Sequence, residues 1–237
     1  MLLSKISTFL KKVIRKCGLM PAVSALDKVR CLVIKKWCVL TGRNPLEYIY
    51  NDSFFSVARH ESVLEQTPKI LAETVFAFYK PKKVIDFGCG CGIYLREFEK
   101  LGAEVFGIDG SPAAKRNLAI DQKKFLLADL TKPVSVSGKY DCAISFEVAE
   151  HIPTNTSETL VDNITRASDL VVFTAAHIGQ GGHDHINEQD PSFWVALFQK
   201  KGFELLAEDT KKLRKTLSDA GAIFWLVDNI SVFKKRQ

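Results

Sequence analysis

The chain has 237 residues, of which 46% are apolar and 25% charged, and it carries a formal charge of +6. That length allows one domain plus an appendage, and that apolar content supplies a core, which excludes a disordered or low-complexity chain. The positive charge is modest and gathers toward the two ends (Lys5 to Lys36, Lys211 to Lys215, Lys234 to Arg236), so nucleic acid is not required to explain it.

From Leu2 to about Leu40 the sequence reads as one or two basic amphipathic helices, with Leu3, Ile6, Phe9, Leu10, Val13 and Ile14 at helical spacing. This extension, residues 1–45, is expected either to lie on a membrane surface or to pack as a lid with its lysine stems along the domain edge. Lys28, Arg30, Lys35 and Lys36 interrupt the best candidate for a membrane span. No cleavable signal pattern is evident, and the six cysteines show no paired metal spacing, so the expectation is a reduced, cytoplasmic protein. Gly42 to Pro45 is a break, after which residues 46–237 form the main domain and 46–80 its lead-in. The aromatic segment Tyr48 to Phe55 either lines a substrate mouth or caps the core. Glu61 to Tyr79 is a helical pattern stopped near Pro81.

Strands and helices then alternate. Strands are expected at Lys83 to Phe87, Glu104 to Ile108, Lys124 to Ala128, Tyr140 to Phe146, Asp169 to Thr174, Phe203 to Ala207 and Ile223 to Phe233. Helices are expected at Ile93 to Leu101, from Ser111-Pro112 (N-cap, then proline at the first helical position), at Thr156 to Ala167 and at Pro191 to Lys201. Repeated βα units predict an α/β fold, a mostly parallel sheet wrapped by helices on both faces.

The most informative stretch is Val84-Ile-Asp86-Phe-Gly88-Cys89-Gly90-Cys91-Gly92. It reads as strand, tight turn and helix start, where glycine allows positive φ and close approach of a ligand to bare backbone. The dinucleotide fingerprint does not fit, because its third glycine falls at Ile93. Asp86 would repel a pyrophosphate and attract an ammonium group. Asp109, ending the second strand, suits a ribose diol. At these residues the chain resembles class I S-adenosylmethionine (SAM)-dependent methyltransferases, whose first motif matches Val84 to Gly92 at every fixed position. The resemblance implies a Rossmann-like seven-stranded sheet with an antiparallel seventh strand, and SAM as cofactor. It also implies that Gly88 to Gly92, Cys89 included, face the amino-acid end of SAM, that Asp109 and Gly110 meet the ribose, that Asp129 and Leu130 meet the adenine, and that Phe146 and Glu147 flank the sulfonium.

Two segments could serve the acceptor. Glu147-Val-Ala-Glu150-His151 follows the fourth strand, and Gly181-Gly-His183-Asp-His185-Ile-Asn187-Glu188-Gln-Asp190 precedes the helix at Pro191. His185, with His151 and Glu150, is the expected catalytic set, since a histidine can remove a hydroxyl proton. His183 and Asn187 either act there or order the loop. Glu147, Glu150 and His151 resemble a stretch of ubiquinone-biosynthesis O-methyltransferases. With the His183-Asp184-His185 loop they also resemble small-RNA terminal 2′-O-methyltransferases. Such a set could hold Mg²⁺; the alternative is a histidine packed beneath a metal-free site, and no metal ligand is assigned. Gly181, Gly182, His185, Asn187, Trp194, Gly202-Phe203 and the tail Trp225 to Phe233 resemble bacterial and viral methyltransferases of glycans. The expected acceptor is accordingly a hydroxyl or amine of a small molecule, foremost a sugar or glycan. The alternatives are an RNA 2′-hydroxyl and a non-catalytic subunit that kept the fold; no RNA-binding module is recognisable.

Overall fold

The computed structural model describes residues 20–55 and 62–237. The expected helix from Leu2 therefore lies outside the described residues as far as residue 19, and so does the start expected at Glu61.

The strands are short apolar runs rich in Val, Ile and Phe, and they pair into a seven-stranded sheet of order β3-β2-β1-β4-β5-β7-β6. They are β1 (Lys83–Phe87), β2 (Glu104–Asp109), β3 (Phe125–Leu127), β4 (Cys142–Ser145), β5 (Leu170–Phe173), β6 (Phe203–Leu205) and β7 (Ser231–Lys235). The first five run parallel, and β7 lies antiparallel to both β5 and β6. Side chains alternate across the sheet, so both faces need covering. Val84, Ile144 and Val172 meet helices α3 (Ser62–Tyr79), α4 (Ile93–Lys100), α8 (Ala207–Asp219) and α9 (Phe224–Asn229). Ile85, Phe87, Val171 and Phe173 meet α6 (Ser157–Ala167) and α7 (Pro191–Lys200). This is the α/β architecture expected, with the strand order reversing between β1 and β4, the place where open α/β sheets bind ligands.

The C-terminal quarter departs from the sequence reading. The stretch expected as one strand, Ile223 to Phe233, is helix α9 followed by β7. The strand was expected from Phe224, Leu226 and Ile230 set against Asp228 and Ser231, but the adjacent Leu226 and Val227 both bury, which suits a helix and not a two-residue alternation. Six helical residues are too few for periodicity to decide. Helix α8 was not expected. Only Leu213 and Leu217, with Thr210, are buried along it, so its apolar stripe is thin beneath a run of lysines. Ser111 caps α5 (Pro112–Arg116) as expected, accepting from the Ala114 N–H, and Asp190 accepts from the Ser192 N–H before α7.

Ahead of the domain, α1 (Met20–Thr41) turns Asp27, Cys31 and Cys38 inward, and α2 (Leu46–Ile49) leads into a helical turn at residues 52–55. Among the described residues no helix is long and apolar enough to cross a membrane, and Cys31, Cys38, Cys89, Cys91 and Cys142 are free and buried.

Candidate active site

The turn after β1 is held from below. Gly88 and Cys89 donate N–H groups to the Ile108 carbonyl, and Gly90 donates to Asp109 Oδ2 at 2.8 Å. Asp109 Oδ1 accepts from Ser111 N–H, also at 2.8 Å. Gly88 lies at φ +85, and a Cβ there would come within 2.3 Å of the Val148 side chain. Gly90, at φ +54, lies against the Phe55 ring. Both need glycine for conformation, and Gly88 for space as well.

A cavity of about 700 Å³ opens over this turn. Gly88, Gly90, Asp109, Gly110, Asp129, Leu130 and Glu147 of the expected cofactor residues line it, and so does His151 of the expected catalytic set. Leu46, Tyr50, Phe54 and Phe55 of the lead-in line the same space, with Val148, Ile152 and Ile186. Its walls are mostly apolar. Asp86, Cys89, Gly92 and Phe146 are not among the lining residues.

These residues fit SAM. Asp86 is buried and its Oδ1 has no hydrogen-bond partner. Burial, and then the charge of Asp109, push its carboxyl well above the usual range. Burial also raises Asp109, against the backbone hydrogen bonds of Ser111 and Gly90. Asp109 lies on the cavity wall and offers acceptors to a diol; Asp86 lies off the wall, and an ammonium group bound over the turn would favour its ionised form.

The acceptor side is built from two loops that bind each other. Ile186 and Asn187 donate N–H groups to the Glu150 carbonyl at 2.9 and 3.0 Å. Asn187 Nδ2 reaches the Ala149 carbonyl and Ser157 Oγ, so this residue ties the loops together. His151 Nδ1 faces the Asp184 carbonyl at 3.2 Å. A carbonyl only accepts, so Nδ1 carries the proton and Nε2 keeps its lone pair. Burial foremost, then the neighbouring His185, holds the His151 imidazole down at about 3.

His185 is buried and does not line the cavity. Its Nδ1 lies 2.9 Å from Glu188 Oε1, its Nε2 4.0 Å from Glu150 Oε1, and Gly182 lies directly against its ring. Glu188 also accepts from the N–H groups of Gly179 and Gly181, which shapes the loop. Glu150 is 0% exposed, and neither carboxylate oxygen has a hydrogen-bond partner. Burial, then the charge of Glu147, push it well above the usual range. Glu150, His151 and His185 each bring a ligand atom within 4.8 Å of the others, a mixed O/N set that a hard divalent cation could use. Glu147 and Asp184 sit at positive φ, 55 and 56, strain that recurs at functional sites. Glu147 is held by Asn229 from α9 and by Gln180.

A second cluster, Asp27, Cys31 and His183, joins α1 to the loop. His183 Nδ1 meets Asp27 Oδ2 at 2.7 Å, Arg30 pairs with Asp27, and Lys35 pairs with Asp184. Burial works to raise Asp27, but His183 and Arg30 hold it down at about 2. These acids already have their cations, and His183 orders the loop against α1.

Asp184 and Glu188 fall within the expected second segment, but their tasks there, orienting His151 and holding His185, are not read from sequence, and neither is the packing of Val148 on Gly88. Their partners lie in other loops or across a turn.

One pH effect follows from His151. Its folded pKa, about 3, lies below its ordinary 6.5. The unfolded chain therefore takes the proton first; stability is full above pH 6.5 and falls as pH drops toward 3, by up to roughly 1.4 kcal/mol per unit. Urea midpoints between pH 7 and pH 4, with chelator present, should fall more steeply for the wild type than for His151→Gln. Parallel slopes would contradict the burial of a neutral imidazole.

Residues 59–174 match a family model described as a methyltransferase domain. Over 79 residues, 30% of the chain, the sequence is 32% identical to a ubiquinone biosynthesis O-methyltransferase of Rhodopseudomonas palustris (strain TIE-1), and the match covers 30% of that enzyme. Against the enzyme of that name from Acinetobacter baumannii (strain AYE) it is 31% identical over 105 residues, 41% of this chain and 42% of the other. The chain thus matches less than half the length of these relatives. Magnesium protoporphyrin IX methyltransferase of Synechocystis PCC 6803, with SAH bound, superposes with a TM-score of 0.53 at 19% identity, over 73% of this chain and 84% of that one. A TehB-like SAM-dependent methyltransferase from Corynebacterium glutamicum gives 0.53 at 20% identity, over 70% and 88%. At such identities the structures speak for the fold. That fold, the glycine turn closing β1 and the match over residues 59–174 agree on a methyltransferase domain with the class I fold, and SAM is the cofactor that this turn and cleft fit.

Proposed function

We propose that the protein transfers the methyl group of SAM to a hydroxyl of a small, largely apolar acceptor of the phenol or quinol kind. The observation that carries this reading is His151 on the cavity wall, with Nδ1 fixed on the Asp184 carbonyl and Nε2 left as a base. SAM, when bound, supplies a methyl group on a good leaving group. His151 then takes the acceptor's proton, and Tyr50, Phe54, Val148 and Ile152 hold the acceptor's apolar body and exclude water. The named activity of the ubiquinone-biosynthesis relatives supports an oxygen acceptor. A sugar would want more hydrogen-bonding groups than these walls offer, so the phenol class is favoured over the glycan class.

Glu150, with two unpartnered oxygens, favours a second reading. A divalent cation held by Glu150, His151 and His185 would polarise two adjacent acceptor oxygens. Both readings are tested with labelled SAM against catechols, simple phenols, sugars and short RNA, each with and without EDTA. Turnover on phenols that survives EDTA supports the metal-free base. Turnover on catechols that EDTA abolishes and Mg²⁺ restores supports the cation. Turnover on sugars or RNA alone overturns the acceptor class.

A further inference from the structure

The buried edge of α1 is narrow: Asp27, Cys31 and Cys38, at near-fourfold and sevenfold spacing, face the domain. The opposite side is apolar and open. Leu26, Val29, Val33, Trp37 and Leu40 recur at three- and four-residue steps, and Leu26, Val33 and Leu40 are 64%, 61% and 85% exposed. Such a contiguous stripe on one helix marks a docking face.

The charge around it says what kind. Residues 1–43 hold ten Lys and Arg and a single acid, Asp27. Asp27 is buried and paired with Arg30, so the outward side of α1 shows no negative charge. Lys36 is exposed on it, and Lys28 is exposed on its flank. A second copy of the chain would bring the same cations face to face, which costs energy. An anionic bilayer would accept both features, apolar side chains below the headgroups and lysines among them. No helix among the described residues can span, so the contact is peripheral.

We infer that the outward face of α1, from Leu26 to Leu40, docks on an anionic lipid surface. Lys35 of the same helix lines the cavity and pairs with Asp184, so the docking face and the site are joined through one element. The inference does not depend on which acceptor is methylated.

The test is flotation of the full-length protein with vesicles of phosphatidylglycerol and phosphatidylcholine in equal parts, and with phosphatidylcholine alone. The wild type should float with the anionic vesicles only, and less as salt rises. Val33→Glu/Leu40→Glu should lose at least tenfold in partitioning while keeping its SAM affinity and circular dichroism, since both side chains are exposed. Absence of flotation overturns the proposal. Equal flotation of wild type and variant does so too. So does a wild-type dimer that the variant dissociates, with no vesicle binding, because the stripe then covers itself.

Discussion

His151→Gln should lower turnover by about 10²- to 10⁴-fold, the usual worth of a positioned acid or base, while SAM affinity stays within about twofold, since the residue meets the acceptor and not the ribose. The reason is geometric. The Asp184 carbonyl takes the Nδ1 proton, so the other ring nitrogen is the unprotonated one. Burial, then His185, holds the ring at about 3, so it stays unprotonated but is a weak base; it takes the proton as methyl transfer makes the acceptor oxygen strongly acidic, and its contribution rests on position rather than on basicity. Glutamine fills a similar volume and can still donate to the carbonyl, but it cannot take a proton. The same variant tells the two site readings apart. If His151 ligates a cation, added Mg²⁺ in excess should recover part of the activity; if it is the base, no cation restores it. A variant as fast as the wild type would return His151 to a packing role.

Asp109→Ala should weaken SAM about 100-fold, because two charge-assisted hydrogen bonds to ribose hydroxyls, each worth about 1.5 kcal/mol, are lost. The carboxylate does a second job: it anchors the Gly90 and Ser111 N–H groups at 2.8 Å each. Asp109→Asn keeps one acceptor oxygen and the size of the side chain, but its amide nitrogen must face either the Gly90 or the Ser111 N–H, so SAM affinity should fall about tenfold and the melting point should fall as well, each by less than in Asp109→Ala. Isothermal calorimetry on both variants, with thermal melts alongside, checks this. Unchanged affinity in Asp109→Ala would remove the ribose assignment.

Much of this site was legible in the sequence because its chemistry is local. The turn at Gly88 to Gly92 needs glycine for backbone reasons, and the acids Asp86 and Asp109 stand near the ends of short apolar, β-branched runs that mark buried parallel strands. What decides the acceptor side is not local. Sequence puts His151 and His185 at one rim and prefers His185; in the fold, Gly182 lies against the His185 ring and Glu188 holds it, while Asp184, 33 residues beyond His151, orients the histidine that lines the cavity. Helix α8 was hidden by its own surface, since two leucines among lysines resemble a solvated charge run. Helix α9 was hidden by its brevity, and with it the way Asn229 reaches Glu147.

The most direct measurement is calorimetric titration of SAM into the wild-type chain and Asp109→Ala under one set of conditions. Saturable binding of one SAM per chain, lost or strongly weakened in the variant, is the outcome required of a cleft built by the β1 turn and the β2 acid. A folded wild type that gives no binding heat at several temperatures, or a variant that binds as well, would contradict it.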